Sequence, residues 1–268
     1  MPVSESSAVS SPSVLEGGEM LLSLKNIHKT FGGVEALRGA SLDIVRGEVT
    51  ALVGDNGAGK STFIKTIMGV HQPTSGSLHL DGVETVIPEP ETARNLGIEA
   101  IYQDLALVGT FDLASNFFLG REIIKTYLGG LVKVVDKKRM RAEALKVLKD
   151  RVGINIGSPY ASANVMSGGQ RQALAIGRAI YTDAQLIIMD EPTAALGVEE
   201  TERVLQIIER LKEQGLTVLV ISHNLEHVFR CADTIAVMHR GQVTAHLRKD
   251  EVTRQDIVGH IMGSRLDH

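Results

Sequence analysis

The 268-residue sequence predicts an α/β fold, in which helices cover both faces of a parallel sheet. Three short apolar runs without polar alternation indicate buried strands: residues 49–53, 186–189 and 217–221. Between the last two, apolar residues at helical spacing predict a helix that begins near residue 199 and ends at Gly215. Each run is followed by polar residues. Because ligands bind outside the carboxyl ends of parallel strands, we expect these polar residues to form one site.

Two flanking regions differ from the buried strands. Residues 20–27 and 77–80 alternate polar and apolar side chains, which predicts a small antiparallel sheet beside the main one. Residues from about 94 to 164 show helical patterns and few strand signals, and we interpret them as an inserted helical lobe. The predicted organisation is a disordered tail at 1–19 and one domain at 20–268, with its α/β core at 20–93 and 165–268.

The composition narrows the classes of function. A net charge of −4 gives no electrostatic attraction to nucleic acid or to anionic lipid. The single cysteine, Cys231, excludes an internal disulfide and fits a reducing compartment. No apolar run approaches the roughly 20 residues that span a bilayer, and the Ser-rich start lacks the features of a secretory signal. We therefore expect a soluble, intracellular protein.

The first strand end carries a phosphate-binding pattern, Gly-x4-Gly-Lys-Ser, followed by a predicted helix. Its residues are Gly54, Asp55, Asn56, Gly57, Ala58, Gly59, Lys60 and Ser61. The glycines let backbone N–H groups curl around an anion, and the helix N-terminus adds its positive end. Lys60 can reach the β- and γ-phosphates, the Ser61 hydroxyl can ligate Mg2+, and Thr62 is the next expected contact. This pattern predicts a site for ATP with magnesium.

The other two strand ends supply carboxylate and imidazole groups. Asp190 is expected to hold Mg2+ through water, because this ion keeps much of its hydration shell. Glu191 should point away from Asp190 and towards the γ-phosphate, where it can orient and deprotonate an attacking water. His223 is expected to contact the γ-phosphate. Together with Lys60, these residues predict hydrolysis of the bound nucleotide.

A second glycine-rich helix start occurs later in the chain. Ser167 is a good N-cap, and the residues after it, Gly168, Gly169 and Gln170, leave first-turn N–H groups open to an anion. A second phosphate cradle on one chain has two explanations. Either it folds onto the same nucleotide, or it completes the site of a neighbouring molecule.

Taken together, these motifs resemble the nucleotide-binding subunit of an ATP-binding cassette (ABC) transporter over about residues 20–245, in the family's order. The resemblance implies a P-loop NTPase core with a RecA-like parallel sheet. It implies that Phe31 stacks on adenine and that Gln103 links the magnesium site to the helical lobe. It also implies that two copies pair head to tail, so that residues 167–170 of one copy face the γ-phosphate bound by the other.

Within that family, residues 114–121 and 195–201 resemble the bacterial monosaccharide importers of the ribose, xylose and fructose group. Gly197, where cassettes commonly have aspartate, is typical of this group, and Met166 is a volume-conserving replacement of the usual leucine. The resemblance implies a peripheral subunit at the inner face of the bacterial cell membrane. Its partners would be a second copy of itself, transmembrane permease subunits and, indirectly, a sugar-binding protein.

Other functions stay open alongside sugar import. The chain could energise an importer of another small solute. A soluble ABC ATPase of translation or DNA repair would usually show paired cassettes or a long coiled-coil insertion, and export would usually fuse the cassette to membrane helices. A P-loop kinase or GTPase would lack the segment at residues 166–172, and a GTPase would also need an Asn-Lys-x-Asp guanine-binding motif, which is absent.

Overall fold

The computed structural model describes residues 18–127, 129 and 131–263, so all but the last two residues of the predicted tail lie outside it. The first part contains β1 (Met20–Phe31), β2 (Val34–Val45), β3 (Val49–Val53), α1 (Lys60–Ile67), β4 (Ser75–Leu80), β5 (Val83–Glu84), α2 (Pro90–Asn95) and β6 (Ile98–Ile101). The middle contains α3 (Leu113–Phe117), β7 (Ile124–Tyr127), β8 (Val132–Val135), α4 (Lys137–Val147) and α5 (Gly168–Tyr181). The last part contains β9 (Leu186–Asp190), α6 (Val198–Glu213), β10 (Thr217–Ile221), α7 (Leu225–Cys231), β11 (Thr234–His239), β12 (Gln242–Arg248) and α8 (Arg254–Ile261).

The main sheet has six strands in the order β12-β11-β3-β10-β9-β6. All neighbours pair in parallel except β12, which lies antiparallel at one edge. Every residue of β3 and β10 is buried, as expected for strands covered on both faces. Ile221 is in register with both Leu52 and Asp190, so the carboxyl ends of β3, β10 and β9 lie side by side. The predicted fold class is confirmed.

A second, antiparallel sheet has the order β2-β1-β4-β5 and contains both of the alternating segments noted in the sequence. Its inner face contributes Leu22 and Leu24 to the same buried cluster as Phe63 and Ile64 of α1. Burial of each large apolar side chain contributes about 2 kcal/mol, which fixes α1 between the two sheets. The helix that follows the phosphate-binding pattern is therefore held on a rigid support.

The predicted helical lobe needs one correction at its start. β6, the short strand Ile98–Ile101, pairs in parallel with β9 and extends the main sheet beyond the boundary drawn near residue 94. The remaining lobe contains α3, α4 and an exposed hairpin of β7 and β8. It packs on α5 through Phe117 and Tyr181, whose ring centroids are 5.5 Å apart. Among the described residues, no helix combines the length and apolar character needed to cross a membrane.

Candidate active site

The loop between β3 and α1 has a backbone that favours glycine. Gly54, Gly57 and Gly59 have φ angles of 148°, 84° and 107°. A Cβ atom on Gly59 would lie 2.9 Å from the carbonyl oxygen of Ala36, and one on Gly54 would collide with a carbonyl of β11. Side chains at all three positions would be strained by conformation, and those at Gly54 and Gly59 would also be blocked by neighbouring backbone. The glycines therefore let this loop pass close to the sheet.

Lys60 is the first residue of α1 and folds back over the loop. Its Nζ donates to the carbonyl oxygens of Gly54, at 2.6 Å, and Asp55, at 2.9 Å. Burial lowers the pKa of Lys60, against the opposing negative charges of Glu191, Asp55 and Asp190. The helix begins at Gly59 with no side-chain cap, so its first N–H groups remain available to a ligand. An ammonium group over the loop and an open helix N-terminus together favour a phosphate.

Apart from Ala58, which is buried in the core, the predicted site residues of the phosphate loop and the strand ends line two adjoining cavities. One has a volume of about 600 Å³, and its lining includes Asn56, Gly57, Gly59, Lys60, Ser61, Thr62, Gln103, Asp190 and Glu191. The other has a volume of about 430 Å³, and its lining includes Gly54, Asp55, Asn56, Gln103, Glu191 and His223. Gln103, Asn56 and Glu191 line both. The arrangement of strand ends explains this convergence, because β3, β10 and β9 are neighbours.

The three predicted magnesium ligands line the larger cavity together. Asp190 is half-buried, and this burial, together with the negative charge of Glu191, raises its pKa. A divalent cation beside Asp190 and the Ser61 hydroxyl would offset both effects. Carboxylate, hydroxyl and amide oxygens are the hard donors that Mg2+ prefers. The donor set therefore fits this ion.

Glu191 and His223 are in direct contact, which the sequence did not predict. The Oε1 atom of Glu191 lies 2.8 Å from Nδ1 of His223. Glu191 has a φ of 50°, and its backbone N–H donates to the carbonyl oxygen of Ile221 at 2.9 Å. This left-handed turn directs the carboxylate across the end of β10 towards His223, instead of the simple alternation of faces expected at a strand end. Strain of this kind in a non-glycine residue is typical of functional sites.

Phe31 lies outside the lining of both cavities but next to one of them. It ends β1 and pairs with Val34, which lines the larger cavity. Its side chain is 41% exposed and makes an edge-on contact with the His71 ring at a centroid distance of 5.0 Å. Lys29 Nζ lies 5.0 Å from the Phe31 ring centroid. An exposed ring in this position is available to stack on a base.

The second cradle is located elsewhere. Ser167 caps α5 in a capping box, in which its hydroxyl accepts from the Gln170 N–H at 3.3 Å and the Gln170 side chain accepts from the Ser167 N–H at 3.0 Å. Neither these residues nor Gly168 and Gly169 line the two cavities of the phosphate loop. Gly169 and Gln170 instead border a separate groove beside α6. The geometry favours the second explanation, a site completed in a neighbouring molecule.

Gly197 is the N-cap of α6 and has φ −69° and ψ 169°. Any residue can adopt this extended backbone, and a Cβ atom at Gly197 would meet nothing within 4 Å. Within a single chain, the aspartate that is common in the family would therefore fit at this position. The described residues around it give no structural reason for a glycine.

The structure also identifies residues that the sequence reasoning missed. Thr193 Oγ1 lies 3.0 Å from Nδ1 of His227, and Nε2 of the same ring lies 3.2 Å from Nδ2 of Asn224. His227 thus joins the turn after Glu191 to the segment that carries His223.

The Glu200 carboxylate lies at the start of α5. The sequence carried no signal for this contact, because Gly197 before it has no side chain to form a capping box and the contact is with another helix.

Comparisons with known proteins agree with this geometry. The sequence profile of the ABC transporter family matches residues 37–194. The chain belongs to the ABC transporter family. It is an ABC-type ATPase, and the predicted nucleotide-binding function is confirmed at the level of the family.

Several proteins that are similar in sequence to this chain are named as import ATP-binding proteins. The chain is 45% identical over 237 residues to the xylose/arabinose import ATP-binding protein of Sulfolobus acidocaldarius, covering 88% of this chain and 92% of the relative. It is 39% identical over 248 residues to the fructose import ATP-binding protein of Rhizobium meliloti, covering 92% and 95%. It is also 39% identical to a ribose import ATP-binding protein of Streptomyces avermitilis, of which it spans only 48%.

Solved structures give the same fold. An ATP-binding cassette of an ABC transporter in its ADP conformation has a TM-score of 0.76 at 28% identity, covering 91% of this chain and 95% of that one. A bacterial ABC transporter cassette solved as a dimer has a TM-score of 0.70 at 27% identity, covering 85% and 99%.

Proposed function

We propose that two copies of this chain bind ATP at two shared sites and hydrolyse it to energise import of a sugar, in particular a monosaccharide, through an ABC transporter. One observation carries the two-copy part of this proposal: residues 167–170 form an anion cradle that does not line the phosphate-loop cavities of its own chain. A head-to-tail pair would bring this cradle to the γ-phosphate held by the partner's phosphate loop. The dimeric cassette of the same fold supports the pairing of two copies.

In each site, the phosphate loop would hold the β- and γ-phosphates on the first N–H groups of α1, with Lys60 moving from the loop carbonyls to the γ-phosphate. Ser61, Asp190 and Gln103 would hold Mg2+, which supplies charge neutralisation on the phosphates. Phe31 would stack on the adenine. Residues 167–170 of the partner would complete the site by contacting the γ-phosphate through helix N-terminal N–H groups.

Glu191 would act as the general base. It lies at the cavity lining with His223 on its Oε1 atom, so the imidazole keeps the carboxylate in place before the nucleotide arrives. His223 is 73% exposed at its side chain, which leaves it free to turn to the γ-phosphate. The carboxylate then orients and deprotonates the attacking water, while Lys60 and His223 stabilise the developing charge. Hydrolysis would reopen the pair.

The sugar assignment comes from the relatives, whose names specify import of xylose or arabinose, fructose and ribose. The proposed partners are transmembrane permease subunits, reached through the lobe and Gln103, and indirectly a sugar-binding protein. The proposed location is the cytoplasmic face of the bacterial cell membrane. Two other functions remain as alternatives: import of a different small solute and a soluble ABC ATPase.

The first experiment tests the transporter assignment. A tagged chain expressed at native level is purified from detergent-solubilised membranes and its partners are identified by mass spectrometry. We expect a permease with several membrane spans to co-purify in stoichiometric amount. Recovery of the tagged chain without any such partner would contradict the transporter assignment and favour the soluble ATPase.

A second experiment tests the solute. Uptake of a panel of radiolabelled monosaccharides is measured in a strain that lacks this chain, with and without the gene restored. We expect restored uptake of at least one monosaccharide, and no restoration by a Glu191→Gln chain. Restored uptake of a different class of solute, with no monosaccharide affected, would replace the sugar assignment and leave the ATPase assignment intact.

A further inference from the structure

The N-termini of α5 and α6 lie against each other, and Glu200 joins them. Glu200 is the third residue of α6, and its Oε2 atom accepts from the N–H of Gly197 at 3.3 Å. The same oxygen faces the start of α5, since a Cβ atom on Gly168 would lie only 3.1 Å from it. A Cβ atom on Gly169 would lie 3.5 Å from the Cβ of Glu200. The carboxylate therefore lies at the second anion cradle.

The groups that surround this carboxylate are hydrogen-bond donors. The nearby Ser167 hydroxyl, and after it the backbone N–H groups of Gly197, Gly169 and Gly168, hold the pKa of Glu200 below its usual range. Of these groups, the Gly197 N–H donates to the carboxylate at 3.3 Å. The first turn of α5 contains no acidic residue of its own. Glu200 thus supplies the negative charge that the N-terminus of this 14-residue helix attracts.

We propose that Glu200 acts as an internal substitute for the γ-phosphate, occupying the cradle at residues 167–170 while the chain is separate and leaving it when the partner's ATP enters. The inference rests on the proposed two-copy site. A carboxylate and a γ-phosphate compete for the same N–H groups, and their like charges repel each other. Glu200 therefore raises the ATP concentration at which two copies pair. After hydrolysis and phosphate release, its return to the cradle favours separation.

A simpler role would be to cap α6 alone, in which Glu200 accepts from the Gly197 N–H. The two roles differ in their consequences. Capping affects the stability of the separate chain, whereas occupation of the cradle also affects the ATP dependence of pairing. Glu199 provides a matched control, because it is adjacent on the same helix and carries the same charge. Its side chain is 90% exposed and pairs only weakly with Arg203, at 3.8 Å.

The test compares Glu200→Gln with Glu199→Gln, each in a Glu191→Gln chain that retains ATP. Sedimentation velocity measures the fraction of dimer as MgATP is increased. We expect Glu200→Gln to lower the half-maximal ATP concentration on the order of tenfold, the size of one charged hydrogen-bond contact. Glu199→Gln should shift it by less than about twofold, as a surface charge does.

Each outcome has one meaning. Equal midpoints for the two variants, or a higher midpoint for Glu200→Gln, overturn the role of Glu200 and leave the two-copy site standing. Absence of any ATP-dependent dimer in the Glu191→Gln parent contradicts the proposed two-copy site itself. Thermal unfolding of each variant without nucleotide checks that the variant is folded before it enters the comparison. If Glu200→Gln is not folded, Glu200→Ala takes its place.

Steady-state hydrolysis by the chain with Glu191 intact gives a second readout that a cap alone would not change. We expect Glu200→Gln to lower the KM for ATP and also kcat, because pairing becomes easier and separation slower. Unchanged values of both would overturn the proposal. Glu199→Gln is again the control.

Discussion

The two glycine-rich helix starts of this chain, at α1 and at α5, differ in what satisfies their first N–H groups. α1 begins at Gly59 with no side-chain cap, and the Lys60 ammonium group lies over its loop beside a cavity of about 600 Å³. α5 begins at Ser167 with a complete capping box and with the Glu200 carboxylate against it. The first helix start is open for a phosphate within its own chain. At the second, the Ser167 hydroxyl accepts from the Gln170 N–H, and in our proposal the Glu200 carboxylate leaves before a phosphate binds.

The same difference appears in the acidic side chains near the two helices. Asp190, near α1, is disfavoured in its charged form, because burial and the charge of Glu191 raise its pKa. Glu200, at α5, is favoured in its charged form, because its hydrogen-bond donors lower its pKa. The charge of Asp190 near α1 therefore lacks a compensating partner until a cation binds, whereas the charge of Glu200 at α5 is already compensated by groups of the same chain. This comparison leads to three predictions, given in order from the largest expected effect of a substitution to the smallest.

The largest effect is expected from loss of the carboxylate at the end of β9. Glu191→Gln keeps the shape of the side chain but cannot accept the proton of the attacking water. Phosphate release should fall by about 10²–10⁴-fold, the range for a general base, while ATP still binds. Fluorescent-nucleotide binding and single-turnover phosphate release measure the two separately. Hydrolysis at the normal rate would show that another group is the base.

The next effect concerns the open helix start. Lys60→Met removes the ammonium group but keeps a side chain of similar length, and should reduce kcat by about 10²–10³-fold, as for loss of one charge-stabilising donor. Lys65→Met, an exposed lysine on the same helix, is the matched control and should have little effect. Similar losses in both variants would show that general charge near α1, rather than Lys60 at the loop, governs the rate.

The smallest effect concerns stability without nucleotide or magnesium. Asp190→Asn should raise Tm, since it removes a disfavoured charge, whereas Glu200→Gln should lower Tm, since it removes a favoured one. The contribution of Glu200 to stability is fully present at pH values above its ordinary pKa of 4.5. It is lost as the pH falls through its lowered pKa. The Asp190 penalty is present at neutral pH and disappears as the pH falls through its raised pKa.

Calorimetry from pH 7 towards pH 4 tests these signs. We expect the advantage of Asp190→Asn over the unmodified chain to shrink on acidification, as Asp190 takes up a proton in the unmodified protein. Shifts of the same sign for Asp190→Asn and Glu200→Gln at pH 7 would contradict the electrostatic difference between the two helix starts.

Much of the fold and site followed from local sequence patterns. The phosphate loop, the three buried strands and the N-cap Ser167 were predictable, because glycine spacing, apolar runs and capping residues act over a few positions. The Glu191–His223 contact was not predictable, since it depends on a left-handed φ at a residue whose type gives no signal for it. The position of Glu200 depends on how α5 packs beside α6. The strand β6 was missed because its four residues are too short for a clear period.

The central claim is that each ATP site is shared between two copies of the chain, and mixing two defective chains tests it most directly. Both carry Glu191→Gln; one also carries Lys60→Met and the other Gly169→Asp. A Cβ atom at Gly169 would make only ordinary contacts with Glu200, the nearest at 3.5 Å, and a carboxylate added at this helix N-terminus would repel a phosphate. Radiolabelled ATP retained after rapid desalting is measured for each chain and for their mixture.

Neither chain alone should retain ATP, because every site of each pair would lack either Lys60 or an open cradle. In the mixture, each mixed pair has one site with both defects and one site with neither. We therefore predict that retention appears only on mixing, at about a quarter of the level of the Glu191→Gln parent. A mixture that retains no more ATP than its separate components would contradict a site shared between two copies.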